Sequence, residues 1–227
     1  MSSTAFYSRV DRKGANANDD GDMSLPLRQP FTALLAGPTG CGKTRFVFRL
    51  VDNIGHMVDP PPTSIAYCYG EYQQLFCEYP DIVFRQGLPV VTGVDGSEPV
   101  LLIIDDLMNE VDESVANIFT RGSHHRNVSL ILLVQNLFHK SKHVRTISLN
   151  SHYFVLYKNP RDASQIANLF RQMYHTRWRF AVEAYKDATR EPYSYLLVDL
   201  RPHQDEMLRL RTNVFPGETH YVCVPEK

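Results

Sequence analysis

A chain of 227 residues with 43% hydrophobic content, 12 Phe and 12 Tyr has the apolar material for one sizeable core, which argues against a disordered polymer. A net charge of -1 excludes a globally basic nucleic-acid binder, and the four cysteines (Cys41, Cys68, Cys77, Cys223), with no C-x-x-C pair, argue against a disulfide framework or zinc ribbon. No apolar leader opens the chain and no apolar run approaches a membrane span, so the expectation is a soluble, intracellular protein with no membrane partner.

Residues 1–28 are polar around a Gly/Ala/Asn/Asp stretch and read as a flexible N-terminal arm, leaving 29–227 as a single domain. From residue 31 onward, short apolar runs at 31–36, 65–69, 100–104, 128–134 and 153–157 read as buried strands. Between them lie helix candidates at about 43–55, 71–78, 111–120 and 162–174, the last opened by a capping box of Asp162 and Gln165 just after Pro160. Strands alternating with helices predict an α/β fold with a mostly parallel sheet covered on both faces. Two late runs, 193–200 and 220–224, predict a small C-terminal β extension over about 190–227. Trp178 and Phe180 read as packing residues.

The first chemistry-bearing element is Gly37-Pro38-Thr39-Gly40-Cys41-Gly42-Lys43-Thr44, which follows an apolar strand and opens a helix. This is a complete Walker A loop in the setting the motif requires. Its glycines allow backbone N–H groups to turn toward phosphate oxygens, and the helix N-terminus adds positive potential. Lys43 is expected to reach the β and γ phosphates of ATP, and the Thr44 hydroxyl to ligate Mg²⁺. Cys41 reads as a small filler within the loop. The run 100–104 then ends in two acids, Asp105 and Asp106. Asp105 is expected to hold the Mg²⁺ and Asp106 to polarise the attacking water. The run 128–134 ends at Gln135, placed at the carboxyl edge of a parallel strand, where it can sense the γ-phosphate or position the water.

Charge is distributed unevenly behind the near-neutral total. Between Glu113 and Asp162 there is no acid, while Arg121, Arg126, Lys140, Lys142, Arg145, Lys158 and Arg161 give that stretch +7 against -1 for the whole chain. Five histidines, at 124, 125, 139, 143 and 152, lie in it too. A concentrated cationic band suits contact with a phosphate backbone without sequence readout. The predicted loop 139–145, with Lys140, Lys142, His143 and Arg145, is the candidate DNA face. Arg121 or Arg126 is alternatively an arginine finger reaching a neighbouring subunit's γ-phosphate.

With these residues in place, the chain resembles the genome-packaging ATPases of the FtsK–HerA superfamily, and among them most resembles the poxvirus-type ATPases of Polinton/Maverick elements and adintoviruses. The segments that carry the likeness are GPTGCGKT (37–44), LLIIDDLMNEV (101–111), FTRGSHHRNVSLILLVQNLF (119–138), RTISLNSHYFVLYKNPRDASQI (145–166), YSYLLVDLRP (193–202) and LRLRTNVFPGE (208–218). The resemblance implies a RecA-like P-loop fold and a homo-oligomeric ring, pentamer or hexamer. It implies ATP-driven translocation of double-stranded DNA into a capsid, with capsid or portal proteins as partners, in the host nucleus or cytoplasm at assembling virions. It matches Lys43 and Thr44 to Walker A, Asp105 and Asp106 to Walker B, and Gln135 to the Gln that ends the fourth core strand. Where the superfamily often carries Glu as second Walker B acid, this chain has Asp106, one methylene shorter, as in packaging members. Two other classes share the loop. A small-molecule phosphotransferase would need an acceptor pocket, and a non-translocating nucleotide switch would turn over slowly and ignore DNA.

Overall fold

The computed structural model of the chain describes residues 6–9, 25–89, 96–107, 110–119, 127–137 and 142–225. In chain order the elements are β1 (Phe6–Arg9), β2 (Leu27–Arg28), β3 (Thr32–Ala36), α1 (Lys43–Asp52), α2 (Ile54–Met57), β4 (Val58–Asp59), β5 (Ser64–Tyr69), β6 (Ile82–Gln86) and β7 (Val100–Asp105). They continue with α3 (Glu113–Asn117), β8 (Val128–Val134), α4 (Lys142–Leu149), β9 (Tyr153–Tyr157), α5 (Ala163–Tyr174), α6 (Trp178–Ala188), β10 (Tyr195–Asp199), β11 (Leu210–Thr212) and β12 (Tyr221–Val224).

Ten strands form one sheet in the order β1-β12-β11-β10-β9-β3-β8-β7-β5-β6, and β2 pairs with β4 apart from it. From β9 to β6 every pairing is parallel; from β9 through β10, β11 and β12 to β1 every pairing is antiparallel. Counting β3, β5, β7, β8 and β9 as core strands one to five, their spatial order is 5-1-4-3-2. The protein is thus an α/β P-loop fold of RecA-like arrangement with an antiparallel C-terminal extension, as the sequence predicts.

Parity decides which residues face which layer, because side chains alternate along a strand. Even-numbered Leu34, Leu102, Ile104, Leu132, Phe154 and Leu156 join one core cluster with residues of α3, α4, α5 and α6. Odd-numbered Leu35, Leu101, Ile103, Leu133, Val155 and Leu197 join the other, with Phe46, Val47, Phe48 and Leu50 of α1. The strands are therefore buried on both faces, which explains why they read as continuous apolar runs. Among the described residues no helix is long and apolar enough to cross a membrane.

Several expectations need correction. Part of the presumed arm, Phe6–Arg9, is an edge strand antiparallel to β12, with Phe6 opposite Val224. The helix expected at 43–55 breaks at Asn53, which caps α1 and is followed by the single turn of α2. The stretch 71–78 supplies only a 3₁₀ turn, Gln74–Glu78. The basic segment expected as a loop becomes helical from residue 142, because Val144 and Ile147 bury one face of α4 in the core. The capping box does not form. Asn159 caps a 3₁₀ turn over Pro160–Asp162, and its amide donates to the Asp162 carboxylate at 3.0 Å, while buried Oε1 of Gln165 has no hydrogen-bond partner among the described residues. Phe180 is buried as expected, and Trp178 packs at the core margin with the Arg171 guanidinium 4.3 Å from its ring centroid.

One buried ionic cluster pins the extension. Asp199 is fully buried and accepts from Arg201 at 2.6 Å and from Arg211 at 3.2 Å. Arg211, itself 1% exposed, also donates to the carbonyl of Leu25 at 3.0 Å, tying the segment before β2 to β11. Asp199→Ala leaves Arg211 buried without its carboxylate, and the expected loss is about 3–5 kcal/mol of unfolding free energy. Urea denaturation measures it, and a loss below about 1 kcal/mol would contradict the assignment.

Candidate functional site

The loop 37–42 connects β3 to α1 at the carboxyl edge of the parallel sheet. Two glycines there need conformations other residues resist: φ is +78° at Gly40 and +106° at Gly42. At Gly37 the constraint is space, since a Cβ would lie 2.6 Å from Cβ of Tyr157 and 2.7 Å from Sγ of Cys41. The Gly37 amide donates to the Val134 carbonyl at 3.1 Å, locking the loop to the end of β8. Gly42 serves as N-cap of α1, which has no side-chain cap and no acid in its first turn. The positive end of the helix is thereby left for an anion.

Lys43 Nζ donates to the carbonyls of Gly37 at 2.6 Å and Pro38 at 3.1 Å, so its ammonium lies folded across the loop. The Thr44 hydroxyl donates to Asp105 Oδ2 at 3.2 Å, and the Tyr67 hydroxyl donates to the same oxygen at 2.6 Å. Burial raises the Asp105 carboxyl above its ordinary value, against the pull of those two hydrogen bonds and of Lys43. Burial, with the Asp105 charge beside it, drives the Tyr67 phenol upward as well, so it stays a donor. The Cys41 thiol is raised by burial despite Lys43, which suits the filler role and not a reactive thiolate.

Asp106 adopts φ +57°, turning the chain sharply after β7. Gly70, at the end of β5, permits this turn, because a Cβ there would stand 2.9 Å from the Asp106 carbonyl oxygen. A cleft of about 570 Å³ opens at the ends of β3, β7 and β8, lined by Thr39, Gly40, Gly42, Lys43, Thr44, Asp105, Asp106 and Gln135, together with Arg45, Gln73 and Asn136. Eight positions singled out in the sequence thus converge on one cavity. Gly37, Pro38 and Cys41 underlie the loop and do not line it.

The remaining candidates fall elsewhere. Arg121, Arg126 and Lys140 lie outside the described residues. Lys142 opens α4; His143 is half-buried and Arg145 is exposed on the same helix, and neither His143 nor Arg145 lines the cleft.

Sequence reasoning missed the residues that hold the site in place. Tyr67 fixes the Asp105 carboxylate from β5. Tyr157, ending β9, donates its hydroxyl to the Gly42 carbonyl at 3.3 Å. Asn159 donates to the Gln135 carbonyl at 3.4 Å as well as to Asp162. The one signal available for them was position, each standing at or near the carboxyl end of a core strand.

The donor set and the glycine cradle fit a nucleoside triphosphate with Mg²⁺. No protein-family model matches the sequence, and no curated protein does. Among solved structures the chain is similar to the genome packaging NTPase B204 from Sulfolobus turreted icosahedral virus 2 in complex with ATP-gammaS, with TM-score 0.47, 15% identity, 87% of this chain and 98% of that one covered. It is similar also to ATPases 2 and 3 of EccC from Thermomonospora curvata (TM-score 0.42, 11% identity, 87% and 37% covered) and to FlaH from Methanocaldococcus jannaschii (0.41, 13%, 62% and 77%). At these values the likeness concerns the general path of the chain.

The raised Asp105 carboxyl has a consequence for stability. It holds its proton more tightly folded than unfolded, so its contribution to folding is present below about pH 4 and is lost as pH rises through the raised value. Asp105→Asn cannot ionise. In Mg²⁺-free urea titrations the variant should gain on the wild type as pH moves from about 4 to neutral, and a pH-independent difference would contradict the burial argument.

Proposed function

We propose that the chain is a Mg²⁺-dependent ATPase whose hydrolysis drives double-stranded DNA through a homo-oligomeric ring, packaging a viral or virus-like genome. The observation that carries the hydrolytic part is the convergence of Lys43, Thr44, Asp105, Asp106 and Gln135 on one cleft. The P-loop amides and Lys43 bind the β and γ phosphates. Thr44 and Asp105 would hold Mg²⁺, which when bound neutralises charge developing on the phosphoryl oxygens. Asp106 accepts a proton from the water that attacks the terminal phosphorus, and Gln135, at the middle strand of the three, orients that water. Supporting the DNA part are the acid-free stretch from 114 to 161 with its +7 charge and the sequence likeness to packaging ATPases. Arg145, exposed on α4, and the exposed Lys158 and Arg161 are the described residues of that stretch available to meet a phosphate backbone. In a ring, Arg121 or Arg126 is the candidate trans arginine.

Lys43→Ala should lower turnover by at least about a hundredfold, whereas Asp106→Asn should retain nucleotide and fail to hydrolyse it. Phosphate release and filter-bound nucleotide separate the two, and wild-type turnover in both variants would overturn the site. For DNA, duplex should stimulate hydrolysis and bind with an affinity that falls as salt rises. Arg145→Ala should reduce the slope of log affinity against log salt by about one. Absence of duplex binding at low salt would overturn the translocase reading while leaving the ATPase intact.

A further inference from the structure

The phosphate cleft continues past the P-loop. Two grooves, of about 290 and 360 Å³, flank the segment 190–194 that joins α6 to β10. The first shares Gly42 and Arg45 with the phosphate cleft, and the second shares Gly40. Tyr193 lines both grooves, together with Tyr157, Pro192 and Ser194.

The posture of Tyr193 is unusual for a residue with no core to fill. Its backbone sits at φ +64°, a conformation bulky residues seldom adopt, and it is 60% exposed. The turn is held by Ser194, whose hydroxyl donates to the Glu191 carbonyl at 2.6 Å and whose amide donates to the same oxygen at 3.3 Å. The ring abuts the P-loop closely, since a Cβ on Gly42 would lie 3.3 Å from its Cδ1. The Arg45 guanidinium, one residue past Thr44, lies 5.9 Å from the ring centroid. An ordered turn therefore presents an aromatic face to solvent at the rim of the phosphate-binding loop, with a cation beside it.

We infer that Tyr193, assisted by Arg45, is the platform on which the base of the bound nucleotide stacks, with the triphosphate running from there across Gly42 into the cleft. This rests on the ATP-site reading above. Stacking on an aromatic ring needs only the π-face that every base has, and a neighbouring guanidinium adds a cation–π component. The platform explains how a loop whose contacts are all to phosphate would hold a nucleotide in preference to a bare polyphosphate.

Calorimetry with Mg²⁺ and either AMP-PNP or inorganic tripolyphosphate tests it, because the two ligands share the phosphate chain and differ in the base. Tyr193→Ala should weaken AMP-PNP binding about tenfold or more and leave tripolyphosphate binding unchanged. Tyr193→Phe, which keeps the ring, should keep the wild-type affinity for both. Wild-type AMP-PNP affinity in Tyr193→Ala, or an equal loss of both ligands, would overturn the platform and leave the ATP site standing. Lys43→Ala should lose both ligands, and failure of the wild-type chain to bind either one would overturn the ATP-site reading and the platform with it.

Discussion

Burial of the sheet on both faces is the constraint from which the site follows. Side chains of β3, β5, β7, β8 and β9 have a helix or an aromatic layer over each face, so an ionised group inside the strands would meet no water and no partner. Polar chemistry is thereby confined to strand ends. Neighbouring strands stand about 4.8 Å apart, so three adjacent strands bring their ends within about 10 Å, the span of a triphosphate with its metal. In this sheet the adjacent three are β3, β8 and β7. Their ends carry the P-loop, Gln135 and the Asp105-Asp106 pair. Because β8 lies between β3 and β7, Gln135 falls between the lysine side and the acid side of the cleft.

The arrangement works against local preference at several points, as functional sites commonly do. Asp105 is held in a position that penalises its ionised form, and two hydroxyls on one oxygen only partly offset that. Asp106 takes a left-handed turn at a cost of order 1–3 kcal/mol, and Gly70 is the residue that makes room for it. The result is a carboxylate fixed toward α1 with a second acid projecting into the cleft, two oxygen sources with different surroundings one residue apart. Sequence adjacency alone does not supply that difference; the end of the β7 ladder does, by placing Asp105 inside it and Asp106 beyond it.

What was legible in the sequence was whatever repeats locally. The strands 128–134 and 153–157 coincide with β8 and β9, because doubly buried strands leave unbroken apolar runs. The P-loop was legible because its glycines and Lys43 lie within eight residues. Helix α4 was not, since its apolar signal is two anchors, Val144 and Ile147, among basic residues. The expected capping box looked sound until Asn159 took the Asp162 carboxylate, a competition that sequence spacing does not rank. Tyr67, Tyr157 and Asn159 act on partners 38, 115 and 24 residues away, and nothing local marks such pairs. Strand β1 was missed for the same reason, its partner being at the other end of the chain.

The antiparallel extension bears on the site through β9. Without β10, strand β9 would be an open edge one strand away from the P-loop, exposed to slippage and foreign pairing. Pairing β10 to β9 from Tyr195 opposite Tyr157 to Asp199 opposite Tyr153 removes that edge. It also delivers the turn 190–194 to the rim of the cleft, since that turn leads directly into Tyr195. The Asp199 cluster sits at the far end of the same strand and clamps β10 to β11 and to the chain before β2. One end of β10 is thus fixed by buried charge while the other supports Tyr193. Meanwhile β9 sends the Tyr157 hydroxyl to Gly42, and the Tyr185 hydroxyl of α6 donates to the Tyr157 carbonyl at 2.8 Å. The loop 37–42 is braced by the core strand β9 and by α6, and the extension reaches the cleft through the turn 190–194 that leads into β10.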